Sequence, residues 1–185
     1  MRQADKTVRA LVLLLANAAM AGEPVVGLAS PVRTLMFDGL GAAKVGMTVR
    51  EVESALKLKL TGDEPPSGLD PEGMSDFQAC HYVSNDEKLP GVQFMVRDGK
   101  VGRIDVSRDA YRTAKGARVG TTEAQVRRLY PDIKMEPHPY DAGGHYLRLT
   151  SRDRKYGIIF ETNGATVTSF RSGRLEPIGG IEGCE

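Results

Sequence analysis

The 185-residue sequence contains no tryptophan, only two cysteines and almost no excess of charge of either sign. Its 25 basic and 24 acidic residues leave a net charge of +1, which excludes a protein that binds nucleic acid through bulk charge. Two cysteines without a C-x-x-C spacing do not indicate a zinc site. The longest apolar run, Ala10 to Ala21, is broken only by Asn17 and is shorter than the roughly 20 residues of a membrane-spanning helix. The other residues have the composition of a globular protein with a buried core.

The first 21 residues have the pattern of a secretory signal peptide. Three basic residues lie within the first nine positions, and the apolar run ends at Ala19-Met20-Ala21, a small-x-small cleavage site. We therefore predict cleavage after Ala21 and a mature chain, residues 22–185, that has no membrane span. This pattern predicts a periplasmic or secreted protein.

Export changes the interpretation of the two cysteines. In an oxidising compartment, Cys80 and Cys184 are expected to pair, since no other cysteine is present. The predicted disulfide joins the end of the chain to its middle.

A six-residue motif occurs twice, 74 positions apart, and we call it the lead-in motif. Its copies are Ala43-Lys44-Val45-Gly46-Met47-Thr48 and Ala117-Arg118-Val119-Gly120-Thr121-Thr122. The final threonine of each copy precedes Glu51 or Gln125 by three positions, which is the spacing of a helix capping box. The sequence therefore predicts a helix after each copy.

Each predicted helix is followed by three stretches with strand character, the last two joined at Asp98-Gly99 or Asn163-Gly164, which are strong hairpin signals. We predict an α+β fold in which two tandem helix-plus-antiparallel-strand repeats form one sheet with helices on one face. The repeats are residues 22–110 and 111–185, within one globular domain. Residues 62–75, which are acidic, and residues 136–144 are predicted to be loops.

Strand alternation divides the predicted sheet into two faces. The helix-facing residues are Val92, Phe94, Val96, Ile104, Val106, Leu147, Leu149, Ile158, Phe160 and Phe170. The opposite, open face is the predicted binding surface, with candidate residues Gln93, Arg97, Arg103, Asp105, Tyr146, Arg148, Glu161 and Arg171. Arginine and tyrosine are enriched at protein interfaces, and arginine can hold carboxylates bidentately. A solvated sheet face has a similar composition, so that alternative stays open.

This architecture of two similar units resembles that of the β-lactamase-inhibitor-protein-like (BLIP-like) family. The stretch Val45 to Val52 also resembles the start of the SmpA/OmlA (BamE-type) envelope modules. Both resemblances imply non-catalytic proteins that bind secreted enzymes or envelope assembly proteins, often through the open face of the sheet. The absence of tryptophan and the single long-range disulfide depart from the inhibitor and count against β-lactamase inhibition in particular.

The sequence contains no catalytic signature. It has no G-x-S-x-G, no H-E-x-x-H and no phosphate-binding loop. His81 and His145 occupy equivalent positions in the two units, which favours a structural role, whereas His138 with Asp141 and His145 leaves a metal site as an alternative.

We therefore predict no enzyme activity and no cofactor. The expected function is recognition of another envelope protein or a secreted enzyme through the open sheet face, without nucleic acid. The alternative is a binding protein for a small ligand or an envelope glycan, and an envelope hydrolase is the third interpretation.

Overall fold

The computed structural model describes residues 33–62, 67–181 and 183–184, and the predicted signal peptide lies outside them. The fold is α+β, with four helices and twelve strands in this part of the chain. The helices are α1 (Val49–Leu56), α2 (Pro71–Ala79), α3 (Glu123–Leu129) and α4 (Leu175–Gly179). The strands are β1 (Thr34–Met36), β2 (Gly39–Leu40), β3 (Ala43–Lys44), β4 (Thr61–Gly62), β5 (Cys80–Ser84), β6 (Val92–Arg97), β7 (Lys100–Val106), β8 (Arg112–Thr113), β9 (Lys134–Pro137), β10 (His145–Thr150), β11 (Tyr156–Thr162) and β12 (Val167–Arg174). None of these helices is long and apolar enough to cross a membrane.

Eight strands form a large antiparallel sheet in the order β4-β5-β6-β7-β12-β11-β10-β9. At its centre β7 pairs with β12, and Asp105 lies opposite Arg171. The predicted hairpins at Asp98-Gly99 and Asn163-Gly164 connect β6 to β7 and β11 to β12. The two halves of the chain therefore meet at the central strand pair.

A second sheet of four short strands, β3-β2-β1-β8, differs from the single sheet that the sequence predicted. Its strand β1 pairs with β8 in parallel orientation, whereas its other pairs are antiparallel. Leu35, Leu40 and Ala43 in these strands have no exposed surface. Because this part of the chain is packed on the core, its backbone groups pair with each other instead of with water.

Helices α1 and α3 begin at the two predicted capping boxes. Thr48 Oγ1 accepts from the Glu51 N–H at 3.3 Å, and the Glu51 carboxylate accepts from the Thr48 N–H at 2.8 Å. Thr122 and Gln125 make the same two hydrogen bonds at 3.2 and 2.9 Å. Because both helices are short, their stability depends on packing one face against the large sheet.

The alternation predicted for the large sheet is confirmed on the side that faces α1 and α3. All ten residues assigned to that side are buried in one apolar cluster, which also contains Val52 of α1 and Val126 of α3. Burial of large apolar side chains contributes roughly 1.5–3 kcal/mol each, so this cluster is a main source of stability.

Regular structure also forms in both stretches that were predicted as loops. Helix α2 occupies the end of the stretch 62–75, with Pro71 in its first turn and Asp70 as its N-cap. The Asp70 carboxylate accepts from the Gly73 N–H at 2.8 Å, a pattern that was readable as a helix start. Strand β9 likewise includes Glu136 and Pro137, the first two residues of the stretch 136–144.

Helix α4 packs on the face opposite to α1 and α3, so the prediction that the helices share one face was wrong. Its Ile178 forms a second apolar cluster with Tyr146 and Ile159. A Cβ atom on Gly173 would lie 2.9 Å from Ile178 Cγ2, and one on Gly157 would overlap Ile178 Cδ1. The two glycines therefore allow α4 to lie directly on β11 and β12.

Candidate functional site

The eight candidate residues of the predicted open face differ widely in exposure. Two are exposed, Gln93 and Arg97. Three are half-buried, namely Asp105, Arg148 and Glu161. The other three are buried: Arg103, Tyr146 and Arg171. The prediction of an open face is therefore wrong at its centre, because α4 lies there.

The predicted disulfide is confirmed. Cys80 and Cys184 are bonded, with their Cα atoms 5.3 Å apart and a sequence separation of 104. The bond joins the start of β5 to the C-terminal segment, which we define as residues 175–181 and 183–184. This segment begins with α4 and is thus attached to the sheet at both of its ends.

Three main-chain carbonyls of the C-terminal segment bind the two buried arginines. Arg103 Nη1 donates to the carbonyls of Pro177 at 3.3 Å and Gly180 at 2.8 Å. Arg171 Nε donates to the carbonyl of Ile178 at 3.0 Å. Carbonyls at a helix C-terminus have no partner within the helix, which suits them to these donors. The two arginines therefore hold the chain's own C-terminal segment.

Each of the four candidate arginines also pairs with a carboxylate of the same chain. The pairs are Arg97 with Glu176, Arg103 with Asp105, Arg148 with Glu136, and Arg171 with Glu161. The interpretation that these arginines are free to hold an external carboxylate is corrected by these pairs, since each positive charge already has a negative partner.

Asp105 lies between the two buried arginines. Its carboxylate accepts from Arg103 Nε at 2.8 Å, and Arg171 lies directly opposite it on the neighbouring strand β12. Burial raises the pKa of the Asp105 carboxyl, and the charges of Arg103 and Arg171 oppose that rise. The arginines thus compensate for an acid that burial alone would favour in its neutral form.

Glu161 extends this charged network to the stretch 136–144. Its carboxylate accepts from Arg171 Nη1 at 3.3 Å and lies 3.0 Å from His138 Nε2. His138 Nδ1 accepts from the N–H groups of Tyr140 and Asp141, so the proton of the neutral ring is on Nε2 and is donated to Glu161. The histidine therefore joins the start of this stretch to the sheet.

A cleft of about 280 Å³ opens beside the C-terminal segment, and we call it the polar cleft. Its polar lining residues are Tyr82, Gln93, Arg103, Asp105, Ser107, Glu161, Ser169 and Arg171. The structure thus brings five of the eight candidates together and leaves Arg97, Tyr146 and Arg148 outside. Ser169 was not among the eight, although strand alternation places it on the same face. The apolar residue Ile181 also lines the cleft, and no sequence signal indicated it.

One nitrogen of the Arg171 guanidinium makes no hydrogen bond within the described residues, although the group lies 5.0 Å from the Tyr146 ring centroid. Arg171 is 6% exposed, and its Nη2 is buried without a hydrogen-bond partner in the described part of the chain. In contrast, Arg103 uses all three of its nitrogens, with Nη2 donating to Tyr82 Oη at 2.6 Å. A buried donor without an acceptor costs about 1–3 kcal/mol, and more when it is charged.

The structure does not bring the candidate histidines together as metal ligands. His138 contacts Glu161, whereas His145 Nδ1 lies 2.8 Å from Glu123 Oε1. Among the described residues, no group of three or more His, Cys, Asp or Glu side chains has the arrangement of a metal site.

Glu123 connects the start of α3 to the large sheet. Its carboxylate accepts from Thr162 Oγ1 and contacts His145. Burial raises the pKa of Glu123, but the hydrogen bonds from Thr162 and His145 outweigh this effect. The pKa therefore lies below its ordinary value of 4.5.

Replacing Glu123 with Gln is expected to lower the free energy of unfolding by about 1–2 kcal/mol at pH 7, because the charged hydrogen bonds are lost. Since the folded-state pKa is depressed, this stabilisation is present above 4.5 and is lost as the pH falls through the folded-state value. Urea unfolding at several pH values should therefore show wild type and Glu123→Gln converging in acid. The control Glu72→Gln, in the exposed first turn of α2, should stay within about 0.5 kcal/mol of wild type. A gap that does not change with pH would contradict this role of Glu123.

Comparison with known proteins assigns no family to this chain. No protein-family model matches it, and no curated protein matches it. Among solved structures, the chain is similar to the uncharacterized protein yfeY from Escherichia coli, at 12% sequence identity and a TM-score of 0.45. The similarity covers 76% of this chain and 99% of that chain. No function is transferred from it.

Proposed function

We propose that the protein is an exported, non-catalytic recognition protein that binds another envelope protein or a secreted enzyme at the polar cleft. The observation that carries this proposal is the polar cleft itself, where the exposed Gln93 and the apolar Ile181 line one concave surface. A partner side chain that enters the cleft can hydrogen-bond to the Gln93 amide and pack against Ile181. The binding surface is therefore smaller than the whole sheet face and lies beside the C-terminal segment.

The charge of the polar cleft favours a neutral acceptor. Arg103 and Arg171 are balanced by Asp105 and Glu161, so a further carboxylate would meet two negative charges at close range. The same arginines already bind the main-chain carbonyls of the C-terminal segment. A main-chain carbonyl or an Asn or Gln side chain in a partner loop fits this pattern.

The polar cleft is small. Its volume of about 280 Å³ lies at the lower end of the usual size of small-molecule sites, about 300–1,000 Å³, and suits one residue of a partner loop.

Three further observations support this proposal. The strands β4 to β7 and β12 to β9 run in mirrored order about the central pair, which supports two tandem units, residues 22–110 and 111–185. The disulfide is compatible with a periplasmic or secreted location, because such bonds persist in oxidising compartments. The BLIP-like and BamE-type resemblances imply protein binding without catalysis.

A Ser169→Arg substitution tests the proposal, because its long side chain fills the polar cleft. We expect residues 22–185 to capture a saturable partner from a cross-linked envelope extract, and Ser169→Arg to weaken this binding at least about tenfold. The matched control is Ser54→Arg on the exposed face of α1, which carries the same change of charge far from the cleft. Equal capture by both variants, with both folded, would contradict the proposal. Thermal stabilisation by glycan fragments that only Ser169→Arg abolishes would favour the glycan-binding alternative.

A further inference from the structure

The second copy of the lead-in motif forms one wall of a cavity that is separate from the polar cleft. The cavity measures about 720 Å³, which is within the usual range for small-molecule sites. Its charged and polar lining residues are Asp109, Lys115, Arg118, Thr121, Gln125 and Arg128. We call it the basic cavity, since three of these residues are cationic and one is acidic.

The cations of the basic cavity outnumber its one acidic residue, Asp109. Arg118 and Arg128 are exposed and form no ion pair within the described residues. Lys115 Nζ donates to the main-chain carbonyl of Leu129 at 2.9 Å and lies 5.0 Å from the Tyr130 ring centroid, so its position is held by neutral groups. Like charges that line one cavity repel each other unless an anion is bound between them.

The first copy of the lead-in motif provides an internal comparison. Its Lys44, the equivalent of Arg118, forms an ion pair with Asp38 at 3.1 Å. The positive charge of the motif is thus neutralised within the chain in the first unit and left available in the second. The two copies therefore differ in whether their basic residue has an ion-pair partner, although both begin a helix with the same type of capping box.

We infer that the basic cavity binds a phosphate dianion or a phosphomonoester group. The three cations and Asp109 leave a net lining charge of +2, which matches the charge of about −1.5 to −2 that a phosphomonoester carries at pH 7. The forks of Arg118 and Arg128 suit phosphate oxygens, whereas a monocarboxylate balances only one of the charges. Because the whole chain is close to neutral, the attraction is local to this cavity. A soluble phosphomonoester and the headgroup of phosphatidic acid present the same chemistry.

The test compares two arginines on the same helix. Residues 22–185 are titrated at constant ionic strength with inorganic phosphate, with glycerol phosphate and with acetate, and are also mixed with vesicles of phosphatidylcholine with or without phosphatidic acid. We expect saturable binding of at least one phosphate source, with Arg128→Gln raising the dissociation constant about tenfold. Arg127→Gln makes the same change of charge at an exposed position that does not line the cavity, and we expect a change of less than about twofold.

Each outcome of this experiment is decisive. Binding in solution identifies a soluble phosphomonoester as the source, and binding only to vesicles with phosphatidic acid identifies a lipid headgroup. The inference is overturned if neither source binds saturably, if acetate binds as tightly as phosphate, or if both variants lose binding equally. The last result would show a diffuse surface attraction.

Discussion

A Cys184→Ser variant is expected to lose about 4–5 kcal/mol of its free energy of unfolding, because the disulfide restricts the unfolded chain over a long loop. The two cysteines are 104 positions apart, so opening the bond releases the constraint on the whole of this loop in the unfolded state. Urea unfolding of residues 22–185 in the absence of reductant measures this loss.

Two comparisons determine whether the loss comes from the disulfide itself. Wild type in the presence of reductant and a Cys80→Ser variant should both unfold like Cys184→Ser. Hydrogen exchange should also become faster in the C-terminal segment, which then depends on its hydrogen bonds, on the Arg97–Glu176 ion pair and on the packing of Ile178. A loss below about 1 kcal/mol would show that these contacts hold the segment without the bond.

An Arg103→Met variant is expected to lose about 3–5 kcal/mol at pH 7, because it leaves Asp105 partly buried without its ion-pair partner. The substitution also removes the donors to Tyr82 and to two carbonyls of the C-terminal segment. Methionine has a similar length and no charge, so the change mainly removes hydrogen bonds and not volume. Equilibrium unfolding at several pH values measures the effect.

The pH dependence of this variant distinguishes a lost ion pair from a packing defect. Burial already raises the pKa of Asp105 above 3.8, and removal of Arg103 raises it further. The folded state then favours the protonated acid. The deficit should therefore be smallest below 3.8, where only the loss of the hydrogen bonds to Tyr82 and the carbonyls remains, and should grow as the pH rises through the raised folded-state pKa. The control Arg97→Met removes a more exposed ion pair with Glu176 and should cost less than about 1 kcal/mol. A deficit of equal size at all pH values would indicate lost packing instead.

Several features were predictable because they depend on near neighbours in the chain or, for the disulfide, on the number of cysteines. The capping box needs only a threonine and an acid or amide three positions later, and both copies form helices as predicted. The residues that face α1 and α3 follow from the alternation of side chains along each strand. The pairing of the two cysteines follows from their number and from the predicted compartment.

The candidate site was predicted only in part, because burial depends on what covers a face. Alternation correctly grouped Arg103, Asp105 and Arg171, and they do line one cleft. It could not show that Arg103 and Arg171 are buried, since the carbonyls that cover them belong to another element, α4, and to Gly180 after it. The Arg103–Asp105 pair joins side chains two positions apart on one strand and was readable from alternation. The carboxylate partners of the other three arginines are at least 10 positions away and were not.

Local patterns in the chain thus determine the starts of α1 and α3 and the inner face of the sheet, and the cysteine count determines the disulfide. The tertiary structure decides that α4 crosses the other face and that an apparently open surface becomes a small polar cleft. Leu175–Gly179 contains proline and glycine and has no periodic apolar face of its own. It lies where it does because Gly157 and Gly173 leave room for Ile178 and because two arginines accommodate its carbonyls. Such contacts between distant residues have no signature in any single stretch of sequence.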